Sequence, residues 1–442
     1  MKNWLDYRFE NNPNDIFLRN KNRVFSYEEV GNNVYDRALA LEDFGVQKSH
    51  KVGIFLSDSL DFIESYLSCY KINAISVILN TKWKESELTN ALDLVSLDFI
   101  ICSFSDKKLF LNCGKPIIFI EELSKSFGSC APKSIIPKMK DEDIQSILFT
   151  SGTEGNPKAV CLTYDNFYQS SLKWEKAVFL NNSDSYMLCL PLYHIGGLAI
   201  LMRALHIGFS VNLNFDLKNN FTYFKNISII SVVPTLLMSC IKNDEYLEYL
   251  KSMRAIIVSG SGISRKLFEK CKKESLNIFF SYGMTETCSS ICGYWLLKKN
   301  NHHQSVGYPF EGVSIKIENQ NIIIESNTIM KSYFNGTDTK GIFKTSDCGA
   351  MYNDLLVYGR IDETIISGGK NIDPLESIKA IKTFLPNCEI SQFKKNDPYW
   401  GEINSLHIYT NSKITAAEIK QKLKKMISDY KIPKEIIIKQ PI

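Results

Sequence analysis

The stretch of sequence best suited to chemistry is a run of hydroxyl, glycine and lysine residues that begins at Thr150. It directly follows the apolar residues 147–149 and reads Thr150-Ser151-Gly152-Thr153-Glu154-Gly155-Asn156-Pro157-Lys158. Glycines and hydroxyls allow a loop to wrap around phosphate oxygens, and backbone N–H groups and a lysine offset their negative charge. The spacing does not match a Walker A loop. Taken alone, the pattern is more typical of a polar turn between a strand and a helix.

Further short polar segments follow apolar runs along the chain. They are residues 191–198 (PLYHIGGL), 259–262 (SGSG), 281–287 (SYGMTET), 345–347 (TSD), 359–362 (GRID) and 367–376 (SGGKNIDPLE). Each segment alone is typical of ordinary structure, such as a strand-to-helix turn, a helix cap or a histidine with a structural role. Their order along the chain, taken together with the loop, carries the functional interpretation.

Together these segments resemble the motifs of the adenylate-forming superfamily, which includes acyl-CoA synthetases, luciferases and the adenylation domains of peptide synthetases. The loop is similar to TSGTxGxPK, and residues 282–286 are similar to YGxTE. The (T/S)GD and GRxD elements resemble residues 345–347 and 359–362. The resemblance extends from about Leu5 to the end of the sequence. It implies ATP, Mg²⁺, a carboxylic acid and, as the acyl acceptor, coenzyme A.

The resemblance also assigns roles to residues. ATP or AMP would be bound by Thr150, Ser151, Gly152, Thr153, Gly155, Lys158, Ser259, Gly260, Ser261, Ser281, Tyr282, Gly283, Met284, Thr285, Asp347 and Arg360. The acyl pocket would contain His194, Gly197, Arg203, Gly260 and Gly283. Asp362 would be an interdomain hinge, and coenzyme A would pass Gly368, Gly369 and Lys370. The catalytic residues would be Lys158, His194, Thr285 and Glu286, with Glu286 as the metal ligand.

The residue types suit these roles. Tyr282 can stack on adenine, the Thr285 hydroxyl can donate to a phosphate, and Glu286 offers the carboxylate oxygen that Mg²⁺ prefers. Departures from the family pattern are Glu154, Ala159 and Ser346. Because Glu154 adds negative charge beside a triphosphate, we expect its side chain to point away from the ligand.

Within the superfamily, the resemblance is strongest to the o-succinylbenzoate–CoA ligases of menaquinone biosynthesis. The chain is short for the superfamily, residues 190–197 read LPLYHIGG, and Arg203 stands where that family can carry a basic residue. A buried arginine could pair with the substrate carboxylate that is not activated. Equally, Arg203 could cap a helix end or lie at the surface. The alternatives for the protein are another aryl- or medium-chain acyl-CoA ligase, or an adenylate-binding protein that has lost adenylation activity.

The C-terminal sequence differs from the family pattern. The family carries a lysine in a segment like PRxxxGK shortly beyond a KxPKx pattern. Here residues 431–435 read KIPKE, and the sequence given ends at Gln440-Pro441-Ile442 without that segment. Loss of a charge-stabilising group at a transition state lowers the rate strongly. We therefore expect this chain to adenylate poorly while it still binds ATP and acid and runs the thioester half-reaction. The alternative is that Lys439 takes the place of the missing lysine.

The motifs follow predicted strands, so the ends of those strands would position them. The sequence predicts sheets that contain such strands. Short apolar runs alternate with helical patterns over residues 51–56, 59–73, 75–79, 99–102 and 117–120, and again over 146–149, 185–190, 210–213, 227–232, 254–258 and 277–280. This rhythm predicts mostly parallel sheets covered by helices. After about Gly307 short strands and turns follow, and the last helix has a capping box at Thr415 and Glu418.

The predicted fold is therefore α/β and α+β. A large N-terminal AMP-binding domain (residues 1–361) would contain stacked, mostly parallel sheets with helices and, by the resemblance, a small distorted barrel. A small, mobile α+β lobe (residues 362–442) would follow it.

Composition sets further limits. The 442 residues carry a net charge of +4, which is too weak to indicate a nucleic-acid partner. No apolar run reaches membrane-spanning length, so we expect no membrane insertion. The twelve cysteines form no CxxC pair and lie in apolar or mixed segments, which indicates reduced thiols and a cytoplasmic protein. Because dimers are common in the superfamily, we expect a homodimer.

Overall fold

The computed structural model of the protein describes residues 3–20, 23–123, 139–150, 157–213, 226–298, 305–319, 321–360, 365–367, 370–372 and 374–440. The chain forms two compact units. The first contains Met1–Ile315, Ile324–Phe343 and Asn353–Leu355, and the second contains Lys316–Ile323, Lys344–Tyr352 and Leu356–Ile442. None of the helices in the described ranges is long and apolar enough to cross a membrane.

Strands and helices alternate through the first half of the chain. The strands are β1 (Ile16–Asn20), β2 (Arg23–Ser26), β3 (Lys51–Phe55), β4 (Ile75–Ile78), β5 (Phe99–Cys102), β6 (Ile117–Phe119), β7 (Ile144–Thr150), β8 (Lys158–Thr163), β9 (Ser185–Met187) and β10 (Ser210–Asn212). The helices are α1 (Trp4–Asn11), α2 (Tyr27–Asp43), α3 (Ser59–Lys71), α4 (Glu85–Leu94), α5 (Ile120–Leu123), α6 (Tyr164–Val178) and α7 (Ile195–Ile207). Polar caps fix helix starts, because Asp58 and Thr163 accept backbone N–H groups of α3 and α6.

The second half is richer in strands. They are β11 (Ile229–Val232), β12 (Ala255–Val258), β13 (Ile278–Met284), β14 (Ser289–Trp295), β15 (Ser305–Pro309), β16 (Ser314–Glu318), β17 (Asn321–Glu325), β18 (Ser332–Tyr333), β19 (Ile342–Met351), β20 (Leu355–Arg360), β21 (Ile365–Ser367), β22 (Lys370–Ile372), β23 (Glu389–Asp397), β24 (Gly401–Tyr409) and β25 (Glu435–Lys439). The helices are α8 (Pro234–Ile241), α9 (Asp244–Ser252), α10 (Arg265–Lys273), α11 (Pro374–Phe384) and α12 (Ala416–Leu423), with 3-10 turns at Phe104–Phe110, Thr285–Thr287 and Asp429–Lys431.

One sheet of the first unit has the strand order β18-β8-β7-β4-β3-β5-β6. Strands β7, β4, β3, β5 and β6 are parallel, and apart from Ser76, Gln145 and Ser146 their buried residues are apolar, as expected for strands covered on both faces. Strand β8 then returns antiparallel to β7, with Thr150 opposite Lys158. The two ends of the predicted phosphate loop therefore lie side by side.

The other sheet of the first unit includes the order β15-β14-β13-β12-β11-β9-β10-β1-β2. Strands β9, β11, β12 and β13 run parallel, so their carboxyl ends reach the same edge. In parallel sheets that edge is where ligands bind. The turns after β9, β12 and β13 carry the motifs predicted from the sequence, so this edge brings them together.

An apolar cluster anchors this edge. It joins the parallel strands to α8, α9 and α10 and includes Ile230, Ile256, Leu237, Leu250 and Leu267, all at most 4% exposed. Truncation of such a buried leucine to alanine costs about 2–5 kcal/mol. This packing holds in place the strand ends from which the motifs continue.

The second unit contains strands β16, β17, β19 and β20 as neighbours in that order, and a sheet with the order β22-β21-β24-β23 in which β25 pairs with β24. Helix α12 begins with the predicted capping box, in which Thr415 and Glu418 bond reciprocally. The spacing of Ile419, Leu423, Met426, Ile427 and Tyr430 predicts an apolar helical face that reaches Tyr430, but α12 ends at Leu423. Ile427 still packs against the cluster that contains Ile419 and Leu423. A 3-10 turn, not a helical face, contains Tyr430.

Candidate active site

The phosphate loop is described only at its two ends. Thr150 closes β7 and Lys158 opens β8, whereas Ser151, Gly152, Thr153 and Gly155 lie outside the described residues. The Lys158 side chain is exposed, and its Nζ lies 5.5 Å from the ring centroid of Tyr333. Lys158, the predicted cationic residue, therefore lies at the C-terminal end of the loop.

The YGxTE segment does not simply follow a strand, as the sequence suggested. Residues Ser281 to Met284 continue β13, with a register shift between Tyr282 and Gly283. A Cβ on Gly283 would lie 2.2 Å from the Ser289 carbonyl oxygen, so only glycine fits there. The 3-10 turn Thr285–Thr287 follows, and the chain returns as β14. Because the turn is short, Met284 before it pairs directly with Ser289 after it.

The turn is held in an unusual backbone conformation. Cys288 and Ser289 have φ angles of 50° and 96°, in the left-handed region that non-glycine residues rarely adopt. The Thr287 hydroxyl accepts the Met284 N–H at 2.9 Å, and the Ser170 hydroxyl donates to the Cys288 carbonyl at 2.7 Å. Such strain is typical of functional sites and persists only where surrounding contacts enforce it.

Glu286 lies inside this turn and is only 9% exposed. Its Oε1 accepts a hydrogen bond of 2.9 Å from the Tyr333 hydroxyl, and its carbonyl accepts the Met330 N–H at 2.8 Å. Among the described residues, no group of three or more His, Cys, Asp or Glu side chains could hold a metal ion. The single Glu286 carboxylate fits Mg²⁺, which usually binds one or two carboxylates and takes its other ligands from phosphates and water. Tyr333 was missed in the sequence, where residues 331–334 read only KSYF.

The turn after β12 lies beside the end of β13, because Val258 pairs with Phe280 in the parallel ladder. Ser259 donates its N–H to the Val232 carbonyl at 3.3 Å, and Gly260 has a φ of 89°. Gly260 and Ser261 are exposed at this edge. The backbone is thus exposed next to Ser281 and Tyr282, and its contact with a ligand stays a prediction.

The segment with His194 leaves the same edge after β9. The His194 carbonyl accepts the N–H groups of Gly197 and Leu198, each at 3.0 Å, to begin α7. A Cβ on Gly197 would lie 2.3 Å from the Pro191 carbonyl oxygen, so this turn also requires glycine. The imidazole keeps an exposed surface and packs edge-on against Tyr193, while partial burial lowers the pKa of His194. A neutral ring suits the predicted place beside an acyl pocket.

Arg203 is buried, with 2% of its surface exposed. Its Nη2 donates to the Ser289 hydroxyl at 2.7 Å, its guanidinium lies 4.4 Å from the Trp174 ring centroid, and its Nε has no hydrogen-bond partner. Burial lowers the pKa of Arg203 to about 10, and the opposing influences are Tyr186 and Cys288, with no carboxylate among them. A buried cation without an anionic partner is costly unless a ligand supplies the charge.

The alternative reading of Arg203, as a helix cap or a surface residue, is wrong. Arg8 bonds the last carbonyls of α7 instead, through Nε to Leu205 at 2.8 Å and Nη2 to His206 at 2.7 Å. Ser289, which pairs with Met284 across the hairpin, brings the guanidinium to the YGxTE segment. Ser289 and Trp174 were missed, because neither belongs to a motif.

The remaining predicted residues lie in the second unit or outside the described residues. Asp347 is on β19, where its N–H donates to the Thr345 hydroxyl at 3.0 Å. Arg360 ends β20, and Lys370 opens β22. Asp362, Gly368 and Gly369 lie outside the described residues. The ribose, hinge and coenzyme A roles of these residues stay predictions.

Comparisons with known proteins agree with these motifs. Residues 5–334 match the family described as AMP-binding enzyme. A 2-succinylbenzoate–CoA ligase of Bacillus cereus is 26% identical over 461 residues, covering 98% of this chain and 94% of the relative. The ligase of the same name from Staphylococcus aureus strain JH9 is 27% identical over 474 residues, with the same coverages.

Solved structures agree on the fold. The o-succinylbenzoate CoA synthetase of Bacillus subtilis, in complex with an acyl-adenylate intermediate, has a TM-score of 0.80 at 26% identity and covers 100% of this chain and 95% of that one. A fatty acyl CoA synthetase of Mycobacterium tuberculosis has a TM-score of 0.85 at 20% identity, covering 99% and 94%. The predicted fold class is confirmed.

Proposed function

The protein belongs to the AMP-binding enzyme family, and from that premise we propose that it converts o-succinylbenzoate, ATP and coenzyme A into o-succinylbenzoyl-CoA, AMP and pyrophosphate. The relatives at 26–27% identity are ligases for this acid, and they align along almost their whole length. The reaction would serve menaquinone biosynthesis.

The observation that carries the proposed substrate is the unpaired guanidinium of Arg203. It is buried beside the strained turn, with Nε lacking a partner and no ion pair among the described residues. A dicarboxylic acid would supply the missing charge through the carboxylate that is not activated. A benzoate or an octanoate would leave the guanidinium unpaired. The site therefore favours a dianionic acid over a monoanionic one.

The first step joins the substrate carboxylate to the α-phosphate of ATP and releases pyrophosphate. Lys158, with Thr150 and the loop between them, would offset charge on the departing phosphates. Tyr282 would stack on adenine, and Thr285 would donate to the α-phosphate. A magnesium ion held by Glu286 would supply further charge neutralisation when bound. Charge-stabilising groups that are positioned before the substrate binds need little rearrangement during such a step.

In the second step, the thiolate of coenzyme A attacks the acyl carbon of the mixed anhydride and AMP leaves. The substrate's activated carbonyl would face His194, whose neutral ring keeps the pocket apolar. Asp347 and Arg360 would hold the ribose, and residues 368–370 would guide the pantetheine arm after rotation about Asp362. Lobe rotations of this kind separate half-reactions in time, so that one chain can serve both.

The test is thioester formation with o-succinylbenzoate, benzoate and octanoate, for the parent protein and for Arg203→Ala. Loss of one partner of a buried charge pair costs about 2–4 kcal/mol, or about 30- to 1000-fold in kcat/KM. We expect this loss with o-succinylbenzoate and little change with benzoate. Equal activity of the parent protein on all three acids would refute the proposed substrate while leaving the reaction type intact.

The proposed location is the cytoplasm, and the proposed assembly is a homodimer. The location rests on the described cysteines, which are all free thiols and mostly buried, as is typical of a reducing compartment. Light scattering after size exclusion would test the assembly.

A further inference from the structure

Tyr333 is attached by its backbone to the strand that opens at Lys158. Strand β18 pairs antiparallel with β8, with Tyr333 opposite Val160 and Ser332 opposite Cys161. The next residue, Phe334, donates its N–H to the Ala159 carbonyl at 2.8 Å. These bonds fix the Cα of Tyr333 relative to the end of the phosphate loop.

The Tyr333 side chain contacts groups of opposite charge. Its hydroxyl donates to Glu286 Oε1 at 2.9 Å, and the Lys158 Nζ lies 5.5 Å from its ring centroid. The Phe343 ring packs edge-on against it, with centroids 6.5 Å apart. A single aromatic side chain therefore links the carboxylate of one sheet to the lysine of the other.

We propose that Tyr333 is a positioning residue that orients the Glu286 carboxylate for magnesium and keeps Lys158 at the phosphate loop. This inference rests on the proposed function, because it assumes that Mg·ATP binds at this turn. The hydroxyl engages Oε1, whereas no described residue bonds Oε2, which is left for the metal. Mg²⁺ demands near-octahedral geometry, so the direction of its carboxylate ligand matters.

The two parts of the side chain have separable roles. The hydroxyl acts on Glu286, and a residue that hydrogen-bonds a metal ligand typically contributes 10- to 100-fold in metal affinity. The ring acts on Lys158 through its negative face, a weaker attraction at an exposed site. Tyr333→Phe removes only the hydroxyl, whereas Tyr333→Leu removes the hydroxyl and the ring.

The experiment is calorimetric titration of ATP into the whole protein over a range of Mg²⁺ concentrations and in excess chelator. For Tyr333→Phe we expect the Mg²⁺ concentration that gives half of the full ATP affinity to rise by about tenfold, with ATP affinity in chelator unchanged. For Tyr333→Leu we expect the same shift together with weaker ATP binding in chelator. Either variant alone tests the role of the hydroxyl if the other fails to fold.

The matched control is Tyr70→Phe, which also removes one hydroxyl from a tyrosine of the first unit. The Tyr70 hydroxyl accepts the Trp4 N–H at 3.2 Å, and among the described residues it makes no hydrogen bond to a residue of the motifs. Its loss can lower thermal stability but gives no reason for a changed Mg²⁺ requirement. A shift shared by Tyr70→Phe would overturn the proposal, because general loosening would then explain it.

A double-mutant cycle with Glu286→Gln completes the test. If Tyr333 acts through Glu286, then Tyr333→Phe has no further effect on Mg²⁺ dependence in the Glu286→Gln background. Additive effects of the two substitutions, or an unchanged Mg²⁺ requirement in Tyr333→Phe, would overturn the role of Tyr333. The proposed function would still stand if the parent protein binds Mg·ATP. Absence of Mg-dependent ATP binding by the parent protein would overturn both.

Discussion

Gly283→Ala is the substitution that most directly tests whether the turn after β13 positions the reacting groups. A methyl group there would lie 2.2 Å from the Ser289 carbonyl oxygen and 2.4 Å from the Ser290 Cα, both backbone atoms. Relief of the contact requires the β13 and β14 backbones to separate by about 1 Å, since such atoms normally stay near van der Waals distance. This movement would displace Glu286 and Ser289 together.

The expected magnitudes follow from that displacement. Overpacking costs about 1–3 kcal/mol of stability, and a misplacement of about 1 Å at a reacting centre costs about 100-fold in rate. The assay is acid-dependent exchange of pyrophosphate into ATP, expressed relative to the parent protein's own rate, with thermal unfolding measured in parallel. We expect a loss of exchange much larger than the loss of stability alone would give.

Gly53→Ala in β3 is the matched control. Its methyl group would meet the ends of the Leu97 and Leu79 side chains, at 2.6 and 3.3 Å, in the sheet that carries the phosphate loop. It therefore costs stability without moving the turn. If Gly283→Ala and Gly53→Ala reduced exchange equally, or if Gly283→Ala kept the parent rate, the positioning role of this hairpin would be refuted.

Two further predictions concern the surroundings of Arg203. Ser289→Ala removes the acceptor of Arg203 Nη2, and because a hydrogen bond to a charged group contributes about 1.5–3 kcal/mol, we expect KM for o-succinylbenzoate to rise about tenfold or more while KM for benzoate stays nearly constant in steady-state assays. His206 is neutral in the fold, because burial, then Arg8 and Arg203, lower its pKa to about 3. Its contribution to stability is complete above its ordinary pKa of about 6.5 and falls by about 1.4 kcal/mol per pH unit as the pH drops from there toward 3. Urea unfolding from pH 7 to pH 5 should show a shallower loss for His206→Gln, and identical slopes would contradict this account.

The fold was largely predictable because its signals are local. The apolar runs at β3 and β5 and the helix after Asp58 follow from composition and capping within a few residues. The end of β13 was not predicted, since the polar residues Ser281 to Met284 look like a turn and are held in the strand by pairing with β14. The end of α12 was also missed, because the apolar spacing continues past Leu423 into residues 424–426, which form turns and not regular helix.

The candidate site was predictable only where a residue lies within a motif. Arg203 could be named from its position but not separated from a surface residue, because its burial depends on Trp174 and Ser289, which are distant in sequence. Tyr333 had no signal at all, since its contact with Glu286 exists only after β18 pairs with β8. Such contacts depend on strand pairing over long sequence separations, which local patterns do not encode.

The hairpin between β13 and β14 joins the two proposed anion-binding sites within one short turn. On one side of it Glu286 is held by Tyr333 next to Lys158, where phosphates and metal would bind. On the other side Ser289 is bonded to the unpaired Arg203, where the free carboxylate of the acid would bind. The strained φ angles of Cys288 and Ser289 turn the chain sharply enough for both. Because the two proposed sites share this turn, an acid anchored at Arg203 would have its other carboxylate directed toward the phosphates, and a shorter or monoanionic acid would lose both affinity and alignment.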